Sequence, residues 1–203
     1  MIESNSMNVG GVILAAGSSS RMGSSKQTLQ YQGNSLLRRA TLAALDAGCR
    51  PVVVVTGAHA DLCRSELDGL DVREAFNPGW ETGMASSVRA GIEGLLNIDA
   101  DVAAAVVLLC DQPYVTSGVI SSLVTAHHQT GRPVIASAYG GSFGVPALFS
   151  RTLFTELMQL EGRSGAKEII KRHASDAHFL QFQQGEVDVD TPDDFSRLIA
   201  ADV

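Results

Sequence analysis

Leu14-Ala15-Ala16-Gly17-Ser18-Ser19-Ser20-Arg21-Met22-Gly23-Ser24-Ser25-Lys26 is the stretch on which the reading of this chain turns. Its Gly/Ser-rich part, 17–25, follows directly on the apolar run from Val9 to Ala16, within which Val12 to Ala16 read as a buried strand. That run is too short to cross a membrane and lacks the flanks of a signal peptide. Beyond the strand, small residues let backbone N–H groups close around phosphate oxygens. Arg21 and Lys26 add fixed positive charge at the same place. The plain alternative is a flexible turn carrying two solvated cations. The strand before the loop and the paired cations within it favour phosphate binding. The spacing is not that of a Walker A loop, because the lysine comes three residues after Gly23 rather than directly after it. It is not a dinucleotide fingerprint either, since no G-x-G-x-x-G is present.

Outward from the loop, strands and helices alternate. Asn34 or Ser35 caps a helix that ends at Gly48, and Pro51 opens the strand Val52 to Val55. A short helix from Asp61 to Leu67 and an edge-like strand from Val72 to Phe76 follow. Met84, Val88, Ile92 and Leu95 recur at helical spacing. Ala104 to Leu109 is the most apolar strand. A helix from Ser117 to His128 leads to a strand from Pro133 to Ser137, and Gly144 to Phe149 reads as a strand entering the core. Later, 151–160 and 164–173 read as helices, and 179–182 and 187–189 as short strands. The last helix is marked by Thr191 at the N-cap and Pro192 at its first position, with Asp193 and Asp194 at the positive end of its dipole. Continuous apolar strands separated by helices predict a mostly parallel sheet covered on both faces, a three-layer α/β/α, Rossmann-like arrangement. No repeat, linker or low-complexity segment divides residues 1–203, so a single domain is expected.

The chain has 203 residues, 45% hydrophobic and 18% charged, which is globular composition. Its net charge of −7 argues against a nucleic-acid surface, which needs a basic face. A nucleotide remains a suitable ligand, because a few placed cations hold a triphosphate. Neither a nucleic-acid nor a membrane partner is expected. Cys49, Cys63 and Cys110 suggest neither a disulfide framework nor a zinc site, so a reducing, cytoplasmic compartment is expected. The segment from Met1 to Asn8 is polar and carries no basic cluster.

Asp111 ends the most apolar strand, within Leu108-Leu109-Cys110-Asp111-Gln112-Pro113. Ligands of open α/β sheets bind outside the carboxyl ends of strands. A carboxylate there suits Mg²⁺, a hard cation that takes oxygen ligands and keeps waters. The competing role is a cap or turn residue before Pro113. A second carboxylate comes from Asp188-Val189-Asp190-Thr191-Pro192-Asp193-Asp194, where Asp188 and Asp190 alternate on a strand and face one side. The connection Asn77-Pro78-Gly79-Trp80-Glu81-Thr82-Gly83-Met84-Ala85-Ser86-Ser87 opens a helix, and helix starts bind anions. Ser86 and Ser87 there either contact the nucleotide or serve as ordinary caps. Cys110 is one step out of phase with Asp111 and points into the core. The five histidines have no metal spacing.

The first loop resembles the signature loop of the glycosyltransferase-A-like nucleotidyltransferases. It is especially similar to that of the molybdenum cofactor cytidylyltransferase branch, which is related to the guanylyltransferases acting on the same cofactor. The resemblance implies that Leu14, Ala15, Ala16, Gly17, Arg21 and Lys26 bind the nucleotide. The pair Ala15-Ala16 is similar to the cytidylyl enzymes, where guanylyl enzymes tend to have a glycine. The D-Q-P turn implies Asp111 as a metal ligand, and D-V-D-T-P implies Asp190 as the second. The N-P-x-W-x-x-G-M-x-x-S segment implies Gly83, Met84 and Ser87 as binding residues, and Gly144 to Phe149 resembles an acceptor-side motif. Arg163 stands where the family usually has an aspartate, which puts acceptor recognition apart from the family pattern; Lys167 contacts phosphate or is a solvated helix lysine.

The implied activity moves CMP from CTP to a molybdopterin-type cofactor phosphate, with Mg²⁺ as cofactor and Arg21, Lys26 and Asp111 as catalytic residues. A molybdoenzyme would receive the product. The alternatives are a guanylyl- or sugar-phosphate nucleotidyltransferase of the same fold, and a non-catalytic carrier of the finished cofactor. A carrier would not need Asp111 and Lys26 together.

Overall fold

Six consecutive buried residues make β1 (Val9–Leu14) the axis of the sheet. The computed structural model describes residues 8–201, so the polar segment read at the N-terminus lies, apart from Asn8, outside the described residues. A short hairpin, β2 (Gln30–Tyr31) and β3 (Asn34–Ser35), leads into α1 (Leu36–Asp46). Ser35 caps α1 by accepting from the Arg38 amide. β4 (Val52–Thr56), α2 (Ala60–Glu66) and β5 (Arg73–Phe76) follow, then α3 (Met84–Ile98), β6 (Ala104–Leu109) and α4 (Ser117–Thr130). The chain continues through β7 (Val134–Tyr139), β8 (Ser142–Ser150), α5 (Phe154–Met158), α6 (Ala166–Arg172), β9 (Ala177–Gln181) and α7 (Pro192–Ala200).

Among the described residues the main sheet has seven strands in the order β5-β4-β1-β6-β8-β7-β9. β5, β4, β1 and β6 run parallel, and β8 is antiparallel to both its neighbours. The strand period of two sends Ile13, Val54, Val106 and Leu108 to one face, where Leu37, Ala44, Ile120 and Leu123 of α1 and α4 cover them. Val12, Val53, Val55 and Val107 go to the other face, under Val88, Ile92, Leu157 and Ile169 of α3, α5 and α6. The result is a three-layer α/β/α arrangement with a mostly parallel sheet. No helix among the described residues is long and apolar enough to cross a membrane. The three cysteines are unpaired and buried, and burial pushes the thiols of Cys49 and Cys63 up to about 11.

The structure corrects three sequence expectations. The first strand stops at Leu14 rather than Ala16, because the Ala16 carbonyl turns to accept from the Ala58 amide and the loop begins. Residues 151–160 form a 3-10 turn (Arg151–Leu153) and then α5 rather than one helix. Residues 187–189 are not a strand. The Val189 amide donates to the Asp111 carbonyl at 2.9 Å, and Val189 is buried with Met22, Tyr31, Leu36 and Leu198 in a satellite core. That packing outweighs sheet pairing and carries the next residue, Asp190, to the end of β6.

The height of α3 above the sheet is set by Gly91. A Cβ there would meet Val12 Cγ1 at 2.3 Å and Val55 Cγ2 at 3.1 Å, and a stiff valine has little room to yield. Gly91→Val is therefore expected to cost about 1–3 kcal/mol by overpacking. A thermal melt should record a fall of about 2–4 °C per kcal/mol for a chain of this size. An unchanged melting temperature would show that α3 is free to lift off the sheet.

Candidate active site

The first loop is shaped by a glutamine. Gln27 is 1% exposed and uses all of its amide hydrogen-bonding capacity. Its Nε2 donates to the carbonyls of Ala15 (2.9 Å) and Gly17 (2.8 Å). Its Oε1 accepts from Ser19 Oγ at 3.1 Å and Ser25 Oγ at 2.7 Å. Ser19 sits at φ 54°, a left-handed conformation uncommon for a residue with a Cβ, and its Oγ accepts from the Lys26 amide at 3.2 Å. A ring nitrogen of His59 lies 3.0 Å from the Ser18 carbonyl. Met22, 8% exposed, pins the outer turn into the satellite core.

This clasp aims Lys26 inward. Its Nζ donates to Asp111 Oδ2 and, at 2.9 Å, to Asp190 Oδ1. Arg21 takes the other Asp190 oxygen at 2.8 Å from a largely exposed position. Burial disfavours the Lys26 ammonium, but Asp111 first and Asp190 after it outweigh that cost and hold it above the ordinary lysine range. Burial likewise opposes the charge of Asp190, and Lys26 and Arg21 still hold its carboxyl below the ordinary range. Asp188 presents part of its surface to solvent. The protein packed around its carboxyl, and then the charges of Asp111 and Asp190, push it up to about 6.

Asp111 Oδ1 is buried and has no hydrogen-bond partner among the described residues. A bare carboxylate oxygen is costly when buried, and a hard cation is a suitable partner for it. The donor set of Asp111 and Asp190 therefore fits Mg²⁺. No group of three or more His, Cys, Asp or Glu side chains among the described residues is arranged to hold a metal. Two carboxylates with phosphate and water oxygens would complete the site, as Mg²⁺ commonly requires.

Beside these groups opens a cleft of about 200 Å³ at the carboxyl ends of β1 and β6. Leu14, Ala15, Ala16, Gly17, Lys26, Gly83, Met84, Ser87 and Asp111, all anticipated from sequence, line it. Arg21 does not line it; it reaches the site through Asp190. The α3 side is held by Asn77, whose Nδ2 donates to Ser86 Oγ at 2.8 Å and Ser87 Oγ at 3.0 Å. Gly83 has φ 117°, and a Cβ there would fall 2.3 Å from the Gly162 carbonyl oxygen, so only glycine fits.

Residues 11–177 match the MobA-like NTP transferase domain. The chain belongs to the MobA-like NTP transferase family. Purine catabolism protein PucB of Bacillus subtilis (strain 168) is 30% identical over 93% of this chain and 94% of its own length. Nicotine blue oxidoreductase of Paenarthrobacter nicotinovorans is 34% identical over 70% of this chain and 67% of its own. The molybdenum cofactor cytidylyltransferase of Escherichia coli (strain K12) is 24% identical over 91% and 92%. Among solved structures, Rv0371c from Mycobacterium tuberculosis H37Rv superposes with a TM-score of 0.80 at 29% identity, covering 95% of this chain and 98% of that one. A further structure of that protein is a complex with manganese. A nucleotidyl transferase from Methanothermobacter thermautotroptrophicus shares the fold, with a TM-score of 0.79 at 19% identity over 96% and 97%.

The cleft also brings in residues that sequence reading passed over. Gln27, Trp80 and Leu109 also line the cleft. Gln27 follows Lys26 directly, and the only signal in the sequence was a polar residue at the end of a Gly/Ser loop that had no assigned partner. Gln27→Leu should leave the Ala15 and Gly17 carbonyls unpaired and cost about 1–3 kcal/mol. Titration with nucleotide should show weaker binding by about tenfold or more, because the loop loses its shape before the ligand arrives. Native affinity in a destabilised Gln27→Leu protein would mean the loop is shaped by the nucleotide and not by the glutamine.

Proposed function

We propose that this chain transfers CMP from CTP to a phosphate of a molybdopterin-type cofactor, releasing pyrophosphate with Mg²⁺ as cofactor. The observation that carries the reading is the meeting of Lys26, Asp111 and Asp190 at the edge of a cleft lined by the backbone from Leu14 to Gly17. The choice of cytosine is supported by Ala15-Ala16 and by likeness to the cytidylyltransferase of Escherichia coli. The cytoplasm is the proposed setting, since three buried free thiols suit a reducing compartment.

In this reading the backbone amides of 17–26 surround the triphosphate, and Lys26 and Arg21 stabilise the departing pyrophosphate. Gly83, Met84 and Ser87 border the nucleoside. Asp111 and Asp190 would hold Mg²⁺, which when bound neutralises charge on the phosphate oxygens. An acceptor phosphate oxygen attacks the α-phosphorus in line, the bond from that phosphorus to the bridging oxygen breaks, and pyrophosphate leaves with the electron pair. The acceptor phosphate is already ionised at neutral pH, so the chain supplies no general base. Catalysis rests on position and electrostatics.

A second reading keeps the nucleotidyl transfer and changes the acceptor. It is favoured by the relatives of higher identity, which carry names unrelated to a cytidylyltransferase, and by Arg163, whose backbone lies against Gly83 and which stands where the family usually has an aspartate.

Pyrophosphate release with purified molybdenum cofactor, Mg²⁺, and CTP, GTP or ATP in parallel tests the proposal. Release with CTP alone, lost in Asp111→Asn, is the expected outcome. Lys26→Ala should lower kcat by a factor on the order of 10²–10³. Release with GTP would assign the guanylyl alternative. Nucleotide binding without release would leave a different acceptor or the carrier role, and would overturn the reading as stated.

A further inference from the structure

The ammonium of Lys26 and the metal proposed for this site have a claim on the same oxygens. Lys26 Nζ donates to Asp111 Oδ2 and, at 2.9 Å, to Asp190 Oδ1, and Arg21 takes Asp190 Oδ2 at 2.8 Å. Cations of the chain thus meet every oxygen of the pair except Asp111 Oδ1, which is buried. The Lys26 and Asp111 side chains are only 15% and 13% exposed. A divalent cation on both carboxylates would share this space with the ammonium, and like charges repel strongly where water is scarce.

Lys26 also has a second place to be. It lines the cleft together with the backbone from Leu14 to Gly17. Its own backbone is fixed by the clasp, since its amide donates to Ser19 Oγ at 3.2 Å and the next residue, Gln27, is buried and fully hydrogen-bonded. What remains able to turn is the side chain, a point charge on a flexible alkyl stem. Among the described residues Lys26 forms ion pairs with Asp111 and Asp190, and Asp188, the third acid of the cluster, forms none with it. An ammonium leaving the pair therefore needs another anion. A nucleotide phosphate in the cleft is the one that the proposed transfer supplies.

We propose that Lys26 and the divalent cation are alternative occupants of the Asp111–Asp190 pair, and that Lys26 is handed from the carboxylates to a nucleotide phosphate as nucleotide and metal bind. With metal alone, Lys26 would have to leave its ion pairs with no other anion to meet. With nucleotide alone, Lys26 would gain a phosphate and leave Asp111 without a cation. With both present every charge has a partner, so nucleotide and metal strengthen each other's binding by the same factor. Lys26 in this way holds metal off the site until nucleotide arrives, a role separate from bracing the departing pyrophosphate. The inference rests on the nucleotidyl-transfer reading and adds the order in which its site is assembled.

The test uses the intact chain without nucleotide, with Mn²⁺ as the metal and electron paramagnetic resonance to count the unbound ion. The native chain is expected to bind Mn²⁺ weakly. Lys26→Met, which keeps an unbranched stem and removes the charge, should bind it about tenfold more tightly, the size of one charge-assisted contact. Arg21→Met removes the same charge from the exposed side of Asp190, where water screens it, and should tighten binding by less than about threefold. Adding Asp111→Asn to Lys26→Met should abolish the gain. Thermal melts check the fold of each variant, and Mn²⁺ should raise the melting temperature of Lys26→Met more than that of the native chain. Equal Mn²⁺ affinity in the native chain and Lys26→Met, or an equal gain from Arg21→Met, would overturn the proposal. A crystal of the native chain with Mn²⁺ and CTP needs no variant. Manganese on Asp111 and Asp190 should be found with Lys26 on a phosphate oxygen, and manganese there with Lys26 still paired to both carboxylates would overturn the handover. Mn²⁺ binding involves no acceptor and no transfer, so a failure of CMP transfer leaves the Mn²⁺ result standing, and a Mn²⁺ affinity indifferent to Lys26 leaves the transfer reading standing.

Discussion

Lys26 holds together carboxylates that the chain otherwise keeps far apart. It is 85 residues from Asp111 and 164 from Asp190, yet its ammonium pairs with both. Two carboxylates converging on one point repel, and the low polarity around them makes the repulsion stronger than in water. A buried lysine would itself be costly without those charges. Each member of the trio therefore depends on the others, and the Gly/Ser loop, the end of β6 and the segment before α7 are tied into one site. The same three elements carry the backbone, the cations and the carboxylates to which the proposed transfer assigns phosphate binding, pyrophosphate stabilisation and the metal.

The rest of the architecture serves to bring these elements into register. β1 and β6 are adjacent parallel strands whose last paired residues are Leu14 and Leu109, so the first loop and Asp111 leave the sheet side by side. The satellite core of Met22, Tyr31, Leu36, Val189 and Leu198 then fastens the loop to the C-terminal segment. On the opposite face Gly91 lets α3 lie close on Val12, and Gly83 lets the chain turn against Gly162. The helix start that borders the cleft is thereby set against the 161–165 turn. A small number of close backbone approaches decides the width of the cleft.

Relatives within the family carry quite different printed names. A physical reason lies in what each part of a transfer site needs. A phosphate chain is met by backbone amides, cations and carboxylates, a set that admits little variation in chemistry. Apolar walls beside such a site change with single substitutions while the sheet stays intact. One fold can in this way serve substrates of different character.

Much of the fold was legible in the sequence. Valine-rich runs such as Val52 to Val55 are buried on both faces and read as parallel strands, and Thr191-Pro192 with Asp194 marks a helix start that the structure builds as a full capping box. The loop residues and Asp111 could be named because they adjoin strand ends, where local pattern is strong. Other features were decided only by tertiary structure. Residues 187–189 alternate like a strand, but Val189 gives its amide to Asp111 and its side chain to a core shared with Met22, Tyr31 and Leu36 from the other end of the chain. Gln27 reads as an unremarkable polar residue until the turn brings the carbonyls of Ala15 and Gly17 to its amide. The antiparallel β8, which leaves Val145 and Pro146 unmatched against β7, depends on pairing with β6 and β7. Periodicity reports how one segment alternates between core and solvent; it carries no information about which distant group completes a hydrogen bond or an ion pair.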